Sequence, residues 1–69
     1  MKLKRNIVQM PNGEYVERWQ YSQGYFDFVG TDDILKADEI TAEVFETFFQ
    51  KRGGKFLTVD YTIDIHFPR

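Results

Sequence analysis

At 69 residues, with no cysteine and one histidine, the chain is sized for a single small domain over 1–69, because below roughly 70–80 residues a core is marginal and cannot be divided. A two-domain enzyme, disulfides, thiolate zinc sites and most imidazole metal cages are thereby excluded, so neither a metal nor a cofactor is expected. No window approaches the ~18 consecutive apolar residues of a membrane span, and Met1-Lys2-Leu3-Lys4-Arg5-Asn6 turns polar before a leader's apolar region could form, which makes the cytosol the expected compartment.

From Leu3 to Met10, the apolar Leu3, Ile7 and Val8 are mixed with Lys, Arg and Asn, a pattern that suits a half-buried or edge strand. Pro11-Asn12-Gly13 then supplies a reversal. From Glu14 to Tyr21 the odd positions Tyr15, Glu17, Trp19 and Tyr21 alternate with Val16, Arg18 and Gln20, predicting a second strand whose aromatic, odd face is inward. Ser22-Gln23-Gly24 is a second turn, and Tyr25 to Val29 reads as a short third strand ending at Gly30.

Thr31-Asp32-Asp33 opens an irregular connection to a helix over Ala42 to Lys51. Thr41 is its expected N-cap, Gly53-Gly54 its stop, and Phe45, Phe48 and Phe49 with Val44 its apolar stripe. Finally, Leu57, Val59, Tyr61, Ile63, Ile65 and Phe67 fill alternate positions of a last strand with one buried face. Phe56 to Phe67 would extend roughly 40 Å at ~3.3 Å per residue, whereas a compact chain of this length has a radius of gyration of about 11 Å. This strand must bend, bulge or project. Its end, with Ile63, Ile65 and Phe67, is the expected surface for self-association into a homodimer.

The order strand, strand, strand, helix, strand predicts an α+β fold: a small, mainly antiparallel sheet of about four strands with one short helix packed on one face.

The formal charge of −2 hides a division. Between positions 27 and 46, Asp27, Asp32, Asp33, Asp38, Glu39, Glu43 and Glu46 face the single Lys36, a balance of −6, while the remainder holds eight cations against four carboxylates, or +4. Carboxylates concentrated on one surface steer a basic partner. Helix-dipole preference alone would also place Asp38, Glu39 and Glu43 where they are.

Catalysis has little to draw on. Ser22 is the only serine and sits in a turn, His66 is the only histidine, and no cysteine nucleophile exists. Asp64 and His66 share a strand face, but two ligands do not make a metal site. The protein is expected not to be an enzyme.

Two resemblances extend this reading. Trp19 to Val29, W-Q-Y-S-Q-G-Y-F-D-F-V, resembles the first RNA-binding stretch of cold-shock and related OB-type domains, departing from it at Gln23 and Asp27. That resemblance implies a single-stranded nucleic-acid binder using Trp19, Tyr21, Tyr25 and Phe26, with Lys2, Lys4 and Arg5 for the phosphates. Over most of its length, through Asn12-Gly13, Gly24-Tyr25, Phe28, Asp32-Asp33 and Gly53-Gly54-Lys55, the chain resembles the very short accessory proteins of phages and prophages. This second resemblance implies a stoichiometric inhibitor of a host enzyme or defence complex, acting in the host cytosol. Combined with the acidic middle, it makes a non-enzymatic module occupying a basic surface of a host protein the leading expectation. The nucleic-acid binder and a structural homodimer are the alternatives.

Overall fold

Four strands, β1 (Lys2–Gln9), β2 (Tyr15–Ser22), β3 (Tyr25–Thr31) and β4 (Lys55–Thr62), form one antiparallel sheet in the order β3-β2-β1-β4. This computed structural model describes residues 2–62. Both hairpins follow from their turn chemistry. At the first, the Asn12 side chain accepts from the Glu14 amide (2.9 Å) and donates to the Glu14 carboxylate (2.8 Å). At the second, Gln23 and Gly24 both have positive φ (51° and 81°), the left-handed pair that closes a two-residue hairpin between Ser22 and Tyr25.

The ladders are uneven. β4 pairs with β1 over its whole length, from Lys2↔Thr62 to Gln9↔Lys55, and β3 pairs with β2 from Tyr15↔Thr31 to Ser22↔Tyr25. Between β1 and β2, however, the register holds only Gln9↔Tyr15, beside the turn. The two strands splay because residues 37–40 lie between them: the Asp38 amide donates to the Val16 carbonyl (2.9 Å) and the Ile40 amide to the Asn6 carbonyl (2.8 Å).

This wedge also changes sides. Arg5, on the same face of β1 as Ile7, donates to the Ala37 carbonyl (3.4 Å), whereas Ile40 packs with Val8, Met10, Val16 and Phe49 on the opposite face. The connection therefore passes through the sheet. Ile7 and Val8, which point to opposite faces, are consequently both 0% exposed.

The sheet thus opens into two ribbons, β1–β4 and β2–β3, and the molecule is long, 52 × 21 × 21 Å with a radius of gyration of 14.1 Å. Through Thr62 the last strand neither bends away nor bulges, since β1 matches it residue for residue. Ile63, Ile65 and Phe67, like Asp64 and His66, lie outside the described residues.

One strand departs from simple alternation. Val16 pairs with Gly30 but Arg18 pairs with Val29, so Glu17 is an extra residue in β2. A bulge of this kind shifts side-chain parity. Val16 faces the core before it and Trp19 after it, so the inward face is not the odd one throughout, and Tyr21 at the far end is 53% exposed.

The helix over 42–52 starts and stops where its sequence says. Thr41 accepts from the Val44 amide (3.3 Å), and Gly53, at φ 82°, ends the helix while its amide and that of Gly54 cap the carbonyls of Gln50 and Phe49. Its middle, Phe45–Phe49, is a wide π turn in which the Gln50 amide donates to the Phe45 carbonyl. The three phenylalanines divide between the ribbons. Phe45 meets Phe56 of β4 (5.1 Å), while Phe48 and Phe49 meet Phe26 of β3 (4.7 and 5.3 Å). Phe49 is the fully buried member and Phe48 is half-buried.

Candidate functional site

The acidic residues fall into three groups. Asp27 lies on β3 between Phe26 and Phe28, whose rings pack under the helix, so its carboxylate stands on the other face of the sheet from that helix. Asp32 and Asp33 precede the crossing. Asp32 is exposed, and Asp33 is a turn residue, its side chain accepting from the Leu35 amide (3.0 Å) while its own amide donates to the Thr31 hydroxyl (3.1 Å).

Asp38, Glu39, Glu43 and Glu46 form the third group, all exposed, from the wedge through the first turns of the helix. The Asp38 carboxylate accepts from the Glu39 amide (3.0 Å). Backbone on both sides is held, by the wedge's two bonds to β1 and β2 and by the Thr41 cap. Of the seven carboxylates, these four lie on one continuous stretch whose backbone is bonded into the sheet and capped as a helix.

The aromatic set is also partly assembled. Trp19, Tyr21 and Phe26 share a face and converge on Phe48, with centroids at 5.9, 5.0 and 4.7 Å. Phe26 and Phe48 are parallel to within 1°, and the Arg52 guanidinium lies 4.5 Å from the Phe26 centroid while donating to the Phe48 carbonyl. Tyr25, 64% exposed, is on the opposite face of β3. Lys2, Lys4 and Arg5 belong to the other ribbon, and Arg5 is turned to the Ala37 carbonyl on the face away from Val8. Of the cations expected beside the aromatics, Arg5 is thus directed elsewhere, and Phe26 is already engaged by Phe48, Phe49 and Arg52.

Sequence reasoning missed Phe48 and Arg52 as members of this cluster. Their spacing of four along the helix, behind a hairpin ending in aromatics, was the available signal.

On the uncovered face of β2–β3 is a shallow depression of about 280 Å³ lined by Arg18, Trp19, Gln20, Asp27, Phe28 and Val29. Its lining holds one arginine and one aspartate but no serine, cysteine or histidine for nucleophilic chemistry. No helix among the described residues is long and apolar enough to cross a membrane. In comparisons with protein families, curated proteins and solved structures, no family model, protein or structure matches this chain.

Proposed function

We propose that the protein is a non-enzymatic binding module that occupies a basic surface of another protein, in the manner of the phage-type inhibitors its sequence resembles, with a host nucleic-acid enzyme or defence complex as target. One observation supports this reading above the rest: Asp38, Glu39, Glu43 and Glu46 are exposed carboxylates carried on backbone that is hydrogen-bonded into the sheet at one end and capped as a helix at the other. Carboxylates held in place lose little freedom on binding. They can imitate the phosphate row that a nucleic-acid enzyme grips, and they accelerate encounter with a basic partner. Tyr21, with Phe48 beneath it, supplies an aromatic anchor of the sort that interfaces favour.

The test is capture from nuclease-treated bacterial lysate with the wild-type chain and a Glu39→Lys, Glu43→Lys, Glu46→Lys variant whose fold is verified by circular dichroism. The expected result is a basic partner whose association is slowed by salt and lost in the variant. A partner that binds the folded variant at the wild-type rate in low salt sinks the acidic-surface mechanism. Titration of oligonucleotides against Trp19 fluorescence separates the alternative, since a stacking platform would bind them directly.

A further inference from the structure

β3 is the terminal strand of the order β3-β2-β1-β4, so its outer edge has no partner strand among the described residues. The tight turn sets the hydrogen-bonding phase of that edge. Ser22 and Tyr25 close the hairpin as a bonded pair, and alternation makes Gln20↔Asp27 and Arg18↔Val29 bonded pairs as well. Phe26, Phe28 and Gly30 are left with their amides and carbonyls pointing outward.

An edge of this kind is a template for another strand unless it is short, bulged, or guarded by lysine or proline. β3 runs for seven residues, Tyr-Phe-Asp-Phe-Val-Gly-Thr, with none of those guards. Its one charged residue is Asp27, and Asp27 has a specific occupation: its carboxylate accepts from the Phe28 amide at 2.9 Å. Phe28 is the central outward residue. The side chain therefore fills the site that an incoming carbonyl would need.

We infer that Asp27 is a lock on the outer edge of β3, and that its release opens a strand-addition surface whose partner is the same edge of a second copy of this chain. The edge is complementary to itself about Phe28. In an antiparallel pairing centred there, Phe28 faces Phe28 of the copy and exchanges both backbone bonds with it, and Phe26 faces Gly30. Asp27 falls opposite Val29, whose neighbour on β2 is Arg18. The carboxylate given up by the Phe28 amide thus comes within reach of the arginine of the second copy, across one strand spacing from Val29. Self-association then runs through β3. It does not depend on the acidic stretch at 38–46, so the two proposals stand or fall separately.

Sedimentation across a wide dilution series tests this. Asp27→Ala removes the competitor for the Phe28 amide in both copies and should tighten self-association by roughly tenfold or more, since each copy otherwise gives up one bond to a charged acceptor on pairing. Asp27→Asn keeps an oxygen in place and should stay near the wild type. An Asp27→Ala chain made by chemical synthesis with an N-methyl group on Phe28 should return to the wild-type state, since the outward amide is gone while the ring remains. The chain has no cysteine, so an Asp27→Cys, Val29→Cys double variant reports the register by forming a disulfide between copies. Asp27 is exposed, and Asp27→Val, which suits a strand, repeats the test should the alanine variant lose its fold. If both Asp27→Ala and Asp27→Val self-associate no more than the wild type, if Asp27→Asn behaves like Asp27→Ala, or if association survives N-methylation, the lock is refuted.

Discussion

Phe49→Ala should destabilise the protein by about 3–5 kcal/mol, the range for emptying a buried phenylalanine site. Phe49 is 0% exposed, packs with Val8, Met10, Val16 and Ile40, and meets Phe26 and Phe28 edge-on at 5.3 and 5.6 Å. Phe48 touches Trp19, Tyr21 and Phe26 but is only half-buried. Its truncation should cost about 1.5–3 kcal/mol, from partial area loss and three aromatic contacts. A chain of this length is typically stable by about 3–10 kcal/mol. Phe49→Ala is therefore at the brink of unfolding, whereas Phe48→Ala stays folded with a lowered midpoint. Urea titration followed by Trp19 fluorescence and far-ultraviolet circular dichroism measures both, with a constant slope as the check that a single transition is observed. A loss from Phe48→Ala equal to or greater than that from Phe49→Ala would refute the assignment of the buried helix face.

Gln23 holds φ at 51° in the tight turn, a region that costs most L residues roughly 1–2 kcal/mol. Asn tolerates it better, so Gln23→Asn should stabilise by about 0.5 kcal/mol through an Asn-Gly turn, and an unchanged urea midpoint would contradict that. Ile40, 1% exposed, should cost about 2–5 kcal/mol on truncation to alanine. In the wild type the amides of Asp38 and Ile40 should exchange with solvent as slowly as those of β1, because they are bonded inside the sheet. Exchange as fast as that of an ordinary surface loop would mean that the wedge is not seated.

Most elements were legible because local chemistry determines them. Asn12-Gly13 and Gln23-Gly24 define two hairpins, Thr41 and Gly53 bound the helix, and alternation from Leu57 onward marks β4 before any tertiary contact is considered. The bulge at Glu17 was not legible, since nothing in Val16-Glu17-Arg18 distinguishes an extra residue from a regular one. The wedge was hidden for a different reason. Its two bonds join residues 22 and 34 positions apart, Val16 with Asp38 and Asn6 with Ile40, and Ala37-Asp38-Glu39-Ile40 has neither a helical nor a strand period. For the same reason the carboxylates read as one set divide into three, because alternation on β3 and the passage of the chain through the sheet both intervene.

The location of the acidic stretch has a mechanical consequence. Residues 37–40 and the helix that follows are what join the ribbons: the wedge bonds to β1 and β2, Phe45 packs on β4, and Phe48 and Phe49 pack on β3. Asp38, Glu39, Glu43 and Glu46 are carried on that same joint. A partner that grips these carboxylates in their folded arrangement binds the folded state alone, since unfolding of the wedge and helix disperses the gripped side chains. Binding and cohesion between the ribbons are then linked, and a partner at about a hundredfold its dissociation constant adds about 2.7 kcal/mol to the folded state. For a chain whose two arms share only Gln9↔Tyr15 as a direct strand contact, that increment is a large part of the total. Exchange of the Asp38 and Ile40 amides, together with that of the β1 amides, should accordingly slow in the complex by roughly the hundredfold that this increment represents.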